Sequence, residues 1–236
     1  MSCDYYMHLD YYILGKTVLI GGFEMKNLLI WGAGDQGLVT LDCALAMQKY
    51  TKIDFLDFKE KGHREIKNYT IYEESKIDLN TIFHLYDEVI VATGSNDLRK
   101  EKMSLLKALN IPIATIIHPT AIISSFAQVS AGCTILANAV ININAIIGKG
   151  CIINTAAIVE HDCIVEEFVN ICPNVTMAGH VKVGRKSFIG TGASLIDEIE
   201  IGKETIIGAG TVVVKDIPDH VTAVGVPARV IKNNKV

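Results

Sequence analysis

An aliphatic residue recurs at every sixth position from Ile117 to Val213 without a break, and this repeat constrains the fold more than any other feature of the sequence. A period of six fits neither an α-helix nor a single strand. It suits a short strand plus a corner, so that three hexads make one coil of a three-sided prism. The seventeen positions are Ile117, Ile123, Val129, Ile135, Ile141, Ile147, Ile153, Val159, Val165, Ile171, Met177, Val183, Ile189, Leu195, Ile201, Ile207 and Val213.

A second series of mostly small residues lies two positions before the aliphatic series. Both series are expected to face a narrow interior, with coils stacked about 4.8 Å apart as parallel strands. Burying the seventeen aliphatic side chains contributes about 25 to 50 kcal/mol as an upper bound, which is enough for an independent core. The small series includes Ala121, Ala127, Cys133, Ala139, Ala145, Cys151, Ala157, Cys163, Ser187, Ala193, Thr205 and Thr211. Its three cysteines are therefore predicted to be packing residues rather than redox groups.

Composition excludes several functions. The net charge of −4 offers no electrostatic footprint for a nucleic acid. No apolar run approaches the roughly 18 to 20 residues of a membrane span. The six cysteines show no spacing typical of a metal site, and without a recognisable leader they favour a reducing cytosol. We therefore expect a cytoplasmic protein that acts on small molecules, with no metal.

The N-terminal half begins, after an unusual tyrosine-rich stretch, with a predicted buried strand over residues 26–31. The glycine turn Gly32-Ala-Gly34-Asp35-Gln36-Gly37 follows, and residues 38–47 have helical spacing. Such a turn lets the backbone and the free amides of a helix N-terminus approach a diphosphate. Asp57, at the end of a second predicted strand over 53–56, is placed to accept a hydrogen bond from a ribose or base.

A third predicted strand over residues 88–92 leads into Thr93-Gly94-Ser95-Asn96-Asp97-Leu98-Arg99, which opens another helix and should place Gly94 beside the first glycine turn. These motifs are most common in nicotinamide-dependent oxidoreductases. Against that alternative, the unit spans only about ninety residues, barely half of a dinucleotide-binding fold. A Tyr-x-x-x-Lys match at residues 72–76 lies too early in the chain to be a dehydrogenase pair.

These signals divide the chain into three parts: an extension over residues 1–24, a nucleotide-binding α/β domain over 25–115, and a β-helix over 116–236. We expect the extension to be non-native or poorly ordered. The alternative is an extra edge strand over residues 16–20.

The segment Val159-Glu160-His161-Asp162-Cys163 places an imidazole at a corner of the prism, between two interior residues and beside two acids. An imidazole at such a position can act as a general base at neutral pH. A neighbouring carboxylate fixes the tautomer and stabilises the imidazolium. His118 is predicted to be structural, and His180 is predicted to lie one coil later at a different corner.

The chain resembles the hexapeptide-repeat acyltransferases. Their [Leu/Ile/Val]-Gly doublets recur at residues 147, 183, 189, 201 and 207, and the segment Gly225-Val-Pro-Ala-Arg229 looks like their characteristic end. Together with the glycine turn, Asp57 and the Ala-x-Gly-x-Asn-x-x-Arg motif, the pattern is similar to the bacterial sialic-acid O-acetyltransferases and nucleotide-amino-sugar N-acetyltransferases of surface glycan synthesis. This resemblance implies a left-handed β-helix, a homotrimer, and acetyl-CoA bound between neighbouring prisms.

The resemblance also implies site residues. His161 would be the general base and Asp162 the acid that raises its basicity. The sugar nucleotide would bind at Gly34, Asp35, Gln36, Asp57 and Gly94. Acetyl-CoA would contact Asn170, Thr191 and Ala209.

The sequence departs from the family pattern in three places, one of which is a run of three residues. Gly34-Asp35-Gln36 replaces Ser-Gly-His, Phe58 replaces a second acid found in some relatives, and Asn170 replaces a histidine. A non-catalytic sugar-binding trimer is therefore an alternative to the enzyme. The sequence also leaves open which sugar and nucleotide are used, whether acylation is at nitrogen or oxygen, and whether the acyl group is acetyl.

Overall fold

A computed structural model of the chain describes residues 11–14, 17–20, 23–58, 66 and 68–234. The first three strands, β1 (Tyr11–Leu14), β2 (Thr17–Ile20) and β3 (Phe23–Glu24), form their own antiparallel sheet. The alternative of a strand near residues 16–20 is thus present as β2, although it is not an edge of the main sheet. The expectation of a disordered extension falls partly on residues 1–10, which lie outside the described residues.

The α/β unit is a four-stranded parallel sheet in the order β6-β5-β4-β7. One face of the sheet packs against α1 and the other against α2 and α3, because successive side chains of β4 point to opposite faces. The elements are β4 (Lys26–Trp31), α1 (Asp35–Ala46), β5 (Tyr50–Asp57), β6 (Ile71–Glu73), a 3₁₀ turn (Glu74–Lys76), α2 (Leu79–Phe83), β7 (Glu88–Val91) and α3 (Asn96–Ala108).

Residues 116–213 form seventeen two-residue strands, β8 to β24, and within this range strands that lie 18 residues apart pair in parallel. Three sheets result, one on each face of a prism, which confirms the predicted left-handed parallel β-helix. Face 1 contains β8 (Ile116–Ile117), β11 (Thr134–Ile135), β14 (Ile152–Ile153), β17 (Asn170–Ile171), β20 (Phe188–Ile189) and β23 (Ile206–Ile207), extended by β25 (Val221–Val224) and β26 (Arg229–Asn233).

Faces 2 and 3 complete each coil. Face 2 contains β9 (Ile122–Ile123), β12 (Val140–Ile141), β15 (Ile158–Val159), β18 (Thr176–Met177), β21 (Ser194–Leu195) and β24 (Val212–Val213). Face 3 contains β10 (Gln128–Val129), β13 (Ile146–Ile147), β16 (Ile164–Val165), β19 (Lys182–Val183) and β22 (Glu200–Ile201). Both interior series of the sequence pack together in one core, including Cys133, Cys151 and Cys163 as free buried thiols.

The prism turns at three edges, each marked by residues with positive φ stacked 18 apart. Edge A, between faces 2 and 3, contains Asn144, Asp162, His180 and Glu198. Edge B, between faces 3 and 1, contains Gly132, Gly150, Phe168, Lys186 and Glu204. Edge C, between faces 1 and 2, contains Asn138, Ala156, Asn174, Gly192 and Gly210.

The α/β unit docks on edge B and face 1. The buried Arg99 side chain donates from Nε to the Gly150 carbonyl over 2.6 Å and from NH2 to the Phe168 carbonyl over 3.2 Å, while Asn96 donates to the Lys186 carbonyl over 2.8 Å. On face 1, Leu136 packs in the core of the α/β unit. The two parts therefore share a core, and the predicted division at residue 115 stays a prediction. Within the described ranges, no helix is long and apolar enough to span a membrane.

Candidate active site

A cavity of about 950 Å³ opens at the carboxyl ends of β4, β5 and β7. All five residues predicted to bind the sugar nucleotide line it: Gly34, Asp35, Gln36, Asp57 and Gly94. We predicted that these residues lie together because the carboxyl ends of parallel strands meet at the same edge of a sheet. The structure confirms that β7 lies next to β4. The volume is in the range of sites for small ligands.

The glycines of the first turn have separate roles. Gly32 has a φ of +129°, and a Cβ there would collide with the Ala92 carbonyl. A Cβ on Gly37 would collide with the Gly32 carbonyl, so these two glycines close the turn. Gly34 is the N-cap of α1 and supplies no side-chain cap, which leaves amides of the first turn for a ligand. Gly94 has open space where a side chain would be.

Gln36 and Asp57 bring polar atoms to this cavity. The Gln36 Nε2 atom is buried and has no hydrogen-bond partner in the described part of the chain. Asp57 accepts hydrogen bonds from the Ala33 amide over 2.9 Å and from the Phe58 amide over 2.7 Å. These bonds fix the carboxylate beside the glycine turn and leave lone pairs for further donors.

Sequence reasoning missed three residues on the far wall of the cavity. Trp31 and Lys102 both donate to Glu74 Oε1 over 2.5 Å, and Lys102 Nζ lies 4.2 Å from the centroid of the Trp31 ring. Glu74 follows β6, a short strand of half-buried residues whose pattern carries no strong strand signal. The Tyr-x-x-x-Lys match at residues 72–76 is divided between β6 and the 3₁₀ turn after it.

His161 lies on edge A, in the corner between β15 and β16. Its Nδ1 lies 2.8 Å from Asp162 Oδ2, and Asp162 Oδ1 accepts a hydrogen bond from Asn144, one coil earlier, over 3.1 Å. Hydrogen bonds from His161 and Asn144 hold the pKa of the Asp162 carboxyl below its usual range. Because an ionised carboxylate only accepts, Nδ1 carries the proton and Nε2 is left as the basic nitrogen.

The next coil places two residues against this pair. A Cβ built on Gly179 would lie 2.5 Å from His161 Cε1 and 2.7 Å from Nε2, so the imidazole rests directly over a backbone without a side chain. His180 packs edge-on against His161, with ring centroids 5.2 Å apart. The prediction that His180 lies at a different corner is wrong, because it follows Asp162 by 18 residues, which is one full coil.

Comparison with known proteins then identifies the family. The family described as the PglD N-terminal domain matches residues 27–106. The acetyltransferase domain of PglB from Neisseria gonorrhoeae FA1090, solved with acetyl coenzyme A, is 32% identical over 88% of this chain and all of that one, with a TM-score of 0.80. The chain belongs to the hexapeptide-repeat sugar acetyltransferases.

Two further structures show the same architecture. A histidine mutant of perosamine N-acetyltransferase from Caulobacter crescentus, solved with CoA and GDP-perosamine, is 30% identical over 88% of this chain and 97% of that one, with a TM-score of 0.81. WeeI from Acinetobacter baumannii AYE, at 24% identity over 87% of this chain and 99% of that one, has the same fold with a TM-score of 0.77. A search of curated protein sequences gave no match. The chain is thus an acyltransferase, as predicted, rather than an oxidoreductase.

In this acetyltransferase, the residues predicted to contact acetyl-CoA lie away from His161 within one chain. Thr191 and Ala209 are exposed and stack on edge C, where the Gly210 amide donates to the Thr191 carbonyl over 2.8 Å. Asn170 lies on face 1 and is only 5% exposed. Edge A carries His161, so a single prism does not bring these predicted contacts to the base.

His161, Asp162 and His180 form the only group of at least three His, Cys, Asp or Glu side chains in the described part of the chain whose potential ligand atoms all lie within 4.8 Å. Within this group, His161 Nδ1 lies 2.8 Å from Asp162 Oδ2, whereas His180 Nε2 lies 4.0 Å from the same oxygen. The contact between His161 and Asp162 is thus a hydrogen bond, and the contact with His180 is not. The hydrogen bond, and the remaining lone pair on His161 Nε2, make the group suited to proton transfer.

Proposed function

We propose that the enzyme transfers the acetyl group of acetyl-CoA to an amino or hydroxyl group of a nucleotide-linked sugar, with His161 as general base. The observation that carries this proposal is the 2.8 Å contact between His161 Nδ1 and Asp162 Oδ2, which orients Nε2 as the free base. The acetyltransferase family and the CoA complexes of its relatives support the donor.

The reaction then needs one proton relay. His161 Nε2 accepts a proton from the acceptor nitrogen or oxygen as that atom attacks the thioester carbonyl carbon. The carbon–sulfur bond breaks, and the imidazolium returns the proton to the departing sulfur, so that free CoA and the acetylated sugar are formed. Asp162 stabilises the imidazolium through Nδ1 while the tetrahedral intermediate exists.

Gly179 supplies a donor for the oxyanion of that intermediate. Its backbone amide has no hydrogen-bond partner among the described residues, and the missing side chain brings the Gly179 backbone close to Nε2. A preorganised amide beside the base is the arrangement that acyl transfer needs.

The cavity of the α/β unit is the proposed site of the sugar nucleotide. The amides after Gly34 and the unpartnered Gln36 amide would bind the diphosphate, and the Asp35 and Asp57 carboxylates would accept hydrogen bonds from ribose hydroxyls. Carboxylates repel a diphosphate, so these two acids suit the neutral part of the nucleotide. The GDP-perosamine complex of a relative supports an amino sugar as acceptor.

We further propose a homotrimer, because one chain does not complete the site. The α/β unit docks on edge B, His161 projects from edge A, and Thr191 and Ala209 lie on edge C. A groove formed by edge A of one prism against a neighbouring prism would bring base, donor and acceptor together. In the described part of the chain five buried cysteines are free thiols, which agrees with action in the cytoplasm.

A thiol-release assay tests the proposal. Acetyl-CoA is incubated with UDP-amino sugars, GDP-amino sugars or sialic acids, and free CoA is measured. Thiol release with one nucleotide-linked sugar is expected. No release with any acceptor, although acetyl-CoA and a nucleotide bind, would favour the non-catalytic trimer, and N- or O-acetylation is read from the mass spectrum of the product.

A further inference from the structure

Phe58 is the most exposed large apolar side chain in the part of the chain with described side chains. Its exposed fraction is 76%, yet it lines the cavity that contains the predicted nucleotide-binding residues. Phe126, 69% exposed on the β-helix, is comparable in type and exposure but does not line this cavity. An aromatic ring held in water at the mouth of a binding cavity has a free face for a ligand.

The backbone of Phe58 is tied to the glycine turn. Its amide donates to Asp57 Oδ1 over 2.7 Å, and Asp57 Oδ2 accepts from the Ala33 amide over 2.9 Å. One carboxylate therefore links the phosphate-binding turn to the residue that carries the ring. In a nucleotide the ribose lies between the diphosphate and the base. If the diphosphate binds at Gly34 and the ribose at Asp57, the base therefore lies beyond Asp57, on the side where Phe58 lies.

The rest of the cavity suits a flat, mainly apolar group with polar edges. The side chains of three leucines form an apolar part of the cavity wall: Leu79, Leu98 and Leu105. Glu74 Oε1 is engaged by Trp31 and Lys102, whereas Glu74 Oε2 has no partner among the described residues and can accept a hydrogen bond from a base N–H. A purine or pyrimidine base has both features, since its faces are apolar and its edges carry hydrogen-bond donors.

We propose that the Phe58 ring is a stacking platform for the nucleobase of the sugar nucleotide, an inference that rests on the proposed function. The ring contributes binding that does not depend on the sugar or the diphosphate. Base–aromatic stacking typically changes affinity by about 5- to 150-fold per base.

Calorimetric dissociation constants for UDP, GDP and inorganic pyrophosphate test this role, because pyrophosphate has no base. The wild type is expected to bind UDP or GDP, and Phe58→Ala should weaken its affinity for that nucleotide by about 5- to 150-fold. The dissociation constant for pyrophosphate should be nearly the same in the variant and the wild type. Phe58→Trp is expected to restore binding, and the matched control Phe126→Ala to bind like the wild type. The Trp variant also shows whether position 58 tolerates change without loss of folding.

Equal nucleotide binding by wild type and Phe58→Ala would overturn the stacking role alone, as would an equal loss for pyrophosphate. A wild type that binds neither UDP nor GDP, while acetylating sugars that carry no nucleotide, would overturn the nucleotide-sugar proposal together with this inference.

Discussion

The imidazole of His161 lies directly over the backbone of Gly179, the residue at the same corner position one coil later. A Cβ at Gly179 would approach His161 Cε1 to 2.5 Å, which a real side chain does not tolerate. The absence of a side chain at residue 179 therefore determines where the base can rest.

Gly179→Ala is expected to displace the imidazole and to lower kcat by about 10- to 100-fold, since a shift of about 1 Å in a catalytic group has effects of this size. The fold should persist, because Gly179 is not among the residues with positive φ. Steady-state kinetics check this, with Asp197→Ala, an exposed residue at the same corner position one coil further, as the control. A kcat equal to that of the wild type would show that the base does not depend on this contact.

Asp162→Asn is expected to lower kcat by about 10²- to 10⁴-fold, because an amide does not stabilise the imidazolium. The hydrogen bonds from His161 and Asn144 lower the pKa of the wild-type carboxyl, so it remains ionised at every pH near neutrality. A loss is consequently expected at both pH 6 and pH 8. Glu198→Gln, on the same edge, is the control, and a loss confined to one end of this pH range would contradict the role of Asp162.

Arg99 is expected to hold the α/β unit on the prism. Besides its bonds to Gly150 and Phe168, it donates to the Thr93 carbonyl over 2.8 Å, at the turn that leads to Gly94. Burial lowers its pKa to about 10, so it is still charged at neutral pH. Arg99→Met should reduce the free energy of unfolding by about 2 to 4 kcal/mol in urea titrations, by leaving buried carbonyls unpaired. Lys100→Met, an exposed neighbour, should change it little, and equal effects of the two variants would rule out this role.

Glu88 should make stability depend on pH. Burial raises the pKa of its carboxyl, but hydrogen bonds from Lys49, Tyr50 and Lys26 outweigh burial and lower it below its ordinary value of about 4.5. Its contribution is therefore fully present above that value and is lost as pH falls through the lowered pKa.

Urea titrations at pH 7 and at about pH 3.5 measure the contribution of Glu88. Glu88→Gln should cost about 1 to 3 kcal/mol at pH 7 and less at the lower pH. A cost that is the same at both values would disprove the assignment.

The β-helix could be predicted almost completely, because a period of six has one simple structural solution and all seventeen hexads became strands. In the α/β unit, strand β4 was predicted with its observed bounds, and the glycine turn and Asp57 were located correctly. Helix α1 begins at Asp35, three residues before the apolar spacing starts, because the first turn of a helix can be polar and exposed.

Other features depended on contacts between distant parts of the chain. Asn96 and Arg99 were noticed as part of a family motif, but their bonds to the prism are visible only after docking. The position of His180 was predictable from the 18-residue coil and was misassigned. The edge that receives the α/β unit does not follow from the local pattern, because it depends on contacts such as those of Arg99 with the Gly150 and Phe168 carbonyls.

The most direct test of the central claim is a comparison of His161→Ala with the wild type in two measurements, thiol release and CoA affinity. If His161 is the base, the variant should lose at least about 10²- to 10⁴-fold in kcat while its dissociation constant for CoA changes by less than about threefold. A variant that turns over as fast as the wild type would contradict the account.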